Sequence, residues 1–312
     1  MTQLAACLTR GAAGAPGGRA GVFPRKMGYP LMEQERELSD GRRGRSRGME
    51  YRNLKVRREG HVALVTLDRP ERGNALNDEL LRELEAAAVS FRGDLETRVV
   101  VFTGAGEHFS VGVDLKDPEQ AAFLAAPLLE KQRRFQQGPR TIRALREMDQ
   151  VTVAALNGAA AGGGACIASA LDLRVGAEDC RVGYPESGLA IPLSWTSLPL
   201  CVQLVGPSRA KRWLIGGEML PAPVLLRWGF LDETAPPHEL LPVCMEMAES
   251  LASRPPVAAQ MIKRSVNAYA GALDQAVMHM DGDQVLLAET GEDFMEAVRA
   301  FLEKRQPHFR GR

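Results

Sequence analysis

The stretch "NGAAAGGGACIASALD", residues 157–172, decides how this chain is read. Three consecutive glycines follow a run of small residues and open an apolar segment, the pattern of a strand that turns directly into a helix. With no side chains at the turn, another group can approach the backbone closely. The first N–H groups of the helix have no intrahelical acceptor. The run has neither the G-x-G-x-x-G nor the G-x-x-x-x-G-K-[ST] spacing of nucleotide-binding loops. Two uses remain: a close strand–helix crossing, or backbone donors aimed at an oxygen that becomes negative during a reaction.

Outward from this stretch, strands alternate with helices. "YRNLKVRREGHVALVTLD", from Tyr51, predicts two strands about a Glu59-Gly60 turn, with Asp78 as N-cap of the helix "ELLRELEAAAVSF". "RVVVFTG" reads as a buried strand, and one long amphipathic helix is expected from about Ala121 to Met148. The strand "VTVAAL" then leads into the glycine run, and after Pro207 the pattern predicts helices only. This is an α/β organisation: an α/β core over 49–206, then a helical part over 207–312. Trp213, Leu214, Leu225, Leu226, Trp228 and Phe230 are more apolar surface than a thin outer layer needs, which points to oligomerisation through this part.

Residues 1–48 differ in kind. They hold nine basic against four acidic residues, so the remainder, in a chain of zero net charge, is net acidic. "GAAGAPGGRAG" and "GRRGRSRG" offer no face that could bury a core, so disorder is expected there. The stretch reads as a disordered arm, a transit peptide or a non-native extension ahead of Met49. Composition over the whole chain, 45% hydrophobic and 25% charged, is that of a soluble globular protein. No window reaches the ~18 apolar residues of a membrane span, and no secretory signal is present. A cytoplasmic location is expected, ahead of organellar targeting by residues 1–48. The five cysteines are scattered without C-x-x-C spacing, and the five histidines are isolated. Buried free thiols and no metal site are expected.

Four separated segments carry a resemblance: "LDRPERGNALND", "TGAGEHFSVGVDLKD", the glycine run and "GYPESGLAIP". In order and character they resemble the crotonase superfamily, also called the enoyl-CoA hydratase/isomerase family, from about Tyr51 to the C-terminus. The resemblance implies the ClpP/crotonase fold, a spiral of ββα units with a helical C-terminal part that helps close an acyl-CoA site, and a homotrimer or hexamer. It implies an oxyanion hole made by the backbone N–H groups of Val113 and Gly163, holding the thioester carbonyl. Arg72 and Ala75 fall in the segment that embraces the CoA adenine. Asp114, Leu115 and Lys116, after the first donor, are implied as CoA-binding residues, Lys116 meeting the CoA phosphates, and Phe301 and Lys304 are placed to reach the CoA of a neighbouring subunit. Coenzyme A would be part of the substrate, and no separate cofactor is implied.

Physical chemistry reaches a similar site. A thioester makes its α-proton only moderately acidic, so two aimed dipoles that stabilise the enolate oxygen are useful, each worth ~10²–10³ in rate. Glu186, in an otherwise apolar run, is the candidate base, with a pKa raised by burial. Cys166 stands where hydratases of the family commonly carry a second glutamate. One carboxylate suffices to shuttle a proton between two carbons, which favours Δ3-to-Δ2 enoyl-CoA isomerisation over enoyl-CoA hydration or decarboxylation. A nucleophilic Cys166 thiol, and a catalytically weak acyl-CoA- or RNA-binding relative, are the competing expectations. The acidic folded part and the absence of aromatics interleaved in "GRRGRSR" argue against nucleic acid. Ser194, Trp195 and Thr196 are expected to shape the acyl pocket.

Overall fold

The computed structural model describes residues 50–312, without the side chains of residues 120, 121, 124, 301 and 302. The expectations for residues 1–48 and for the Phe301 side chain lie outside these described residues. Within them, Glu50–Arg312 form one compact unit.

The N-terminal hairpin, β1 (Leu54–Glu59) and β2 (Val62–Leu67), turns at Gly60, whose φ of 56° suits glycine. A six-stranded sheet grows from it through β3 (Val99–Gly104), β4 (Val151–Leu156), β6 (Leu173–Ala177) and β9 (Glu233–Ala235), in the order β1-β2-β3-β4-β6-β9. Only the β1–β2 pair is antiparallel. Strand β3 is buried throughout, because parallel strands are covered on both faces and read as unbroken apolar runs. A second sheet of three short strands joins β5 (Ala159–Ala161), β7 (Arg181–Gly183) and β8 (Leu220–Pro221).

Several expectations need correction. The first helix, α1 (Asp78–Ser90), is capped by Asn77, whose side chain accepts from the Leu80 N–H at 2.9 Å. Asp78 is already helical, where its charge favours the positive end of the helix dipole. The single helix expected over Ala121–Met148 is three: α2 (Pro118–Ala125), α3 (Leu128–Phe135) and α4 (Gln137–Arg146). Pro127 drives Ala126 into extended backbone, with ψ 154°, and so ends α2.

The glycine run opens α5 (Gly163–Ala170), and α6 (Ser197–Val205) and α7 (Pro207–Gly216) follow. Beyond Pro207 the chain is not helices only, since β8 and β9 complete the two sheets around α8 (Ala222–Trp228). Helix α9 (Leu240–Ala252) packs across β2, β3, β4 and β6. The last four helices are α10 (Pro256–Ala270), α11 (Asp274–Met278), α12 (Asp281–Ala288) and α13 (Glu292–Glu303). Trp213, Leu225 and Phe230, expected to face a partner, are fully buried within this chain. The Trp213 ring meets Tyr184 and Phe230 edge-on. Leu226, expected with them, is exposed, and five further large exposed apolar side chains lie on α10: Val257, Met261, Ile262, Val266 and Tyr269.

Two buried cations tie the C-terminal part to the sheet. Lys263 on α10 reaches Asp172 at 2.8 Å and the Gln150 carbonyl at 2.7 Å. Arg174 on β6 donates to the carbonyls of Phe230 at 2.6 Å and Leu171 at 2.7 Å. Arg174→Met should cost at least ~2 kcal/mol, because it strands two buried carbonyl oxygens. A urea midpoint unchanged at constant slope would show that other donors satisfy them.

Candidate active site

Three loops converge at the C-terminal ends of β2, β3 and β4. Asn74, at φ 56°, accepts from the Arg69 N–H and donates to the carbonyls of Ala105 and His108. Asn157 donates to the Gly106 carbonyl and accepts from the Gly104 N–H, so the second and third loops hold each other. Ser110 bridges in parallel to Ala160: its N–H reaches the Ala159 carbonyl at 3.1 Å, and its carbonyl accepts from Ala161 at 2.9 Å.

The glycines then do what side chains would prevent. At Gly112, φ is 91°, and a Cβ there would stand 2.8 Å from the Ala161 oxygen and 3.8 Å from the Gly163 nitrogen. The backbone leading into Val113 therefore lies beside the start of α5. Gly162, at φ 51°, sends its N–H to the Gly183 carbonyl, which frees the next amide to point elsewhere. Among the described residues, neither the Val113 nor the Gly163 N–H donates to a protein acceptor. Both residues line one cavity of about 610 Å³, a size suited to a small-molecule site.

Glu186 faces the same cavity from a single 3₁₀ turn, Pro185–Leu189, that follows β7 and closes at left-handed Ala190. Its Oε1 lies 3.1 Å from where a Cβ on Gly162 would be, and its Oε2 is buried without a partner. Burial pushes the carboxyl up to about 7, and a backbone hydrogen bond only partly opposes this. Cys166, one turn into α5, also lines the cavity, but burial, and then the charge of Glu186, push its thiol well above the usual range. Burial thus favours the neutral thiol, which argues against a nucleophilic role.

Trp195 was anticipated as a wall, but its setting was not legible. Both Trp195 and Thr196 are left-handed, a strained pair that Asp281 on α12 holds by accepting from the Thr196 N–H at 2.8 Å. The indole fills the space over two glycines: a Cβ on Gly138 would run into it, and one on Gly163 would lie 2.7 Å from its Cζ3. Ser194 lines the cavity too, whereas the Thr196 hydroxyl turns to the Trp195 carbonyl.

The remaining expected residues divide. Leu115 and Lys116 are exposed at the cavity rim. Asp114 lines it but is engaged by Arg69 at 3.1 Å, and Arg69 also donates to the Ala75 carbonyl. Arg69 thus fastens the first loop to the second, a role with no local signal. Arg72 is exposed and Ala75 buried, both beside the cavity loops rather than in its lining. Lys304 is exposed at the end of α13, outside the lining of this chain's cavity. Residues of α12 and α13, Val285, Phe294 and Val298, complete the lining, and α13 packs against the turn that carries Glu186.

Comparison with known proteins shows the family and the fold. The family described as Enoyl-CoA hydratase/isomerase matches residues 57–312. The chain belongs to that family, within the crotonase superfamily, and has its fold. It is 31% identical over 260 residues to the short-chain-enoyl-CoA hydratase of Clostridium acetobutylicum, covering 83% of this chain and 97% of that one. To the 2,3-dehydroadipyl-CoA hydratase of Escherichia coli it is 32% identical, covering 83% and 99%. The crystal structure of carnitinyl-CoA hydratase from Mycobacterium avium superposes with a TM-score of 0.74 at 29% identity, covering 84% of this chain and all of that one. Among the described residues no helix is long and apolar enough to cross a membrane.

The raised Glu186 carboxyl makes a stability prediction. Between the unfolded value of 4.5 and about 7 the folded state holds a proton that the unfolded state has lost, so stability falls as pH rises through this window. Glu186→Gln should therefore be more stable than the parent above pH 7, by on the order of 3 kcal/mol, and equal to it near pH 4.5. Urea melts at the two ends of the window check this. A difference that does not change with pH would mean the carboxyl is solvated.

Proposed function

We propose that this protein binds an acyl-CoA thioester with its carbonyl oxygen between the Val113 and Gly163 N–H groups and moves a proton at the adjacent carbon with Glu186. One observation carries the reading: two unpaired backbone donors and one unpaired, buried carboxylate oxygen face the same cavity. Two fixed dipoles beside a forming enolate oxygen need no reorganisation, and a base with a pKa near 7 is matched to neutral solution.

Isomerisation of a 3-enoyl-CoA to the 2-enoyl-CoA is the reaction this set of groups performs without addition. Glu186 takes a proton from C2, the dienolate oxygen is held by the two amides, and Glu186 returns the proton to C4. Cys166, held as a thiol, can fill volume beside the base but cannot grip water as a carboxylate does. A second reading, hydration of a 2-enoyl-CoA, is favoured by the names of the relatives, which are hydratases. In that reaction water adds at C3, C2 gains a proton, and Glu186 serves both transfers.

A panel of 2-enoyl-, 3-enoyl- and malonyl-type CoA esters separates these reactions. Glu186→Gln should lose at least ~10²-fold in turnover of whichever ester reacts, with binding of the saturated ester nearly unchanged. Cys166→Ser should keep isomerisation, since it removes thiol chemistry at little change in size. Its collapse with binding intact would give the thiol a direct role. Rapid hydration of 2-enoyl-CoA with no conversion of 3-enoyl-CoA would establish the second reading.

The large exposed apolar side chains of α10, a helix exposed along most of its length, support assembly into a trimer or hexamer. Light scattering at micromolar concentration should give an oligomer, and Met261→Lys with Ile262→Lys should shift it toward monomer. A monomeric parent would remove both the assembly and the role of Lys304 in a neighbour's site.

A further inference from the structure

Among the described residues, two buried carboxylate oxygens that line the cavity have no hydrogen-bond partner: Glu186 Oε2 and Glu289 Oε2. The first belongs to the proton-transferring base. The second has no task in that chemistry.

Glu289 follows α12 directly, its N–H donating to the Val285 carbonyl at 2.9 Å. Apolar side chains of the helices around it, Phe123, Phe135, Val285, Phe294 and Val298, line the same cavity, with Arg134 and Glu119 among its charged lining. Lys131 on α3 stands 3.7 Å away, close enough to offset the charge but beyond hydrogen-bond reach. The two carboxylates answer to different surroundings. Glu186 sits beside Gly162 and is felt by the Cys166 thiol, whereas the charge acting on Glu289 is Lys131. The two oxygens are set by different elements, Glu186 Oε1 by the turn beside Gly162 and Glu289 Oε2 by the end of α12 opposite Lys131 on α3.

A buried acceptor left without a donor is costly, and an acceptor in the wall of a binding cavity can be satisfied by the ligand. We propose that Glu289 is a specificity-determining residue, which accepts a hydrogen bond from a hydroxyl carried by the acyl chain away from the thioester. The inference rests on the reading of this cavity as the acyl-CoA site. A neutral donor fits better than a cation, because Lys131 already offsets the carboxylate and would repel a second positive group. A chain ending in a carboxylate would bring like charge against Oε2, and an alkyl chain would leave Oε2 without a donor.

The test uses pairs of enoyl-CoA esters matched in length, one ending in a hydroxyl and the other in a methyl group, over a series of lengths. At its best length the parent should prefer the hydroxyl ester in kcat/KM by at least about tenfold, as expected of a hydrogen bond to a charged acceptor. Glu289→Leu should reverse that preference, while Glu289→Gln, which retains an acceptor, should keep its direction. Glu289→Met supplies the same apolar replacement with an adaptable side chain should the leucine variant not fold. Circular dichroism and calorimetric binding of the saturated esters accompany the kinetics. A parent that converts both esters without preference, or a preference in the apolar variants within about twofold of the parent's, overturns this inference alone. A parent that neither binds nor converts any ester overturns the proposed function with it.

Discussion

The pairing of Ser110 with Ala160 is the constraint on which the site depends. It adds a single bridge to β5 of the three-stranded sheet, and it fixes the end of the β3 loop against the strand that feeds the glycine run. The same serine sends its hydroxyl to the Asn74 carbonyl at 2.8 Å, which brings in the loop after β2. Its carbonyl lies so near α5 that a side chain at Gly164 could not be accommodated. Three loops from three parallel strands thus share one residue. The amides of Val113 and Gly163 converge because their loops are held there, at the strand ends where open α/β sheets place their ligands.

Convergence alone would leave a polar cleft open to water. The C-terminal helices change its character: α12 and α13 bring apolar side chains over the cavity, and Asp281 holds the left-handed turn that lays Trp195 across Gly138 and Gly163. A drier cavity strengthens dipoles aimed at a developing charge and raises the pKa of a carboxylate inside it. The raised value of Glu186 and the exposed donors are therefore two results of one enclosure.

What the sequence made legible was local. A glycine run between a strand and a helix, an acid in an apolar turn, and alternating strands and helices each announce themselves within about ten residues, and from them the α/β core, the glycine turn and Glu186 could be singled out, while the pairing of Val113 with Gly163 as donors came from the family resemblance. What depended on distant partners could not be read. Nothing near Gly138 shows that Trp195, more than fifty residues on, needs its missing side chain. Glu289 reads as an ordinary helix-end acid until α3 and α13 enclose it. Trp213 and Phe230 looked like interface residues because their partners, Tyr184 and each other, are non-local. The break at Pro127 was visible but outweighed by amphipathic spacing on either side.

The central claim is that two amides polarise one thioester carbonyl. Infrared difference spectroscopy of a bound acyl-CoA, with the thioester carbonyl carrying a ¹³C label, reads that carbonyl directly. Two converging donors should move its stretch to lower frequency on binding, and Gly112→Val, which would press a branched side chain toward the Ala161 oxygen and part the two loops, should return it toward the solution value. A carbonyl band at the solution frequency in the parent complex, with binding established independently, would contradict the account.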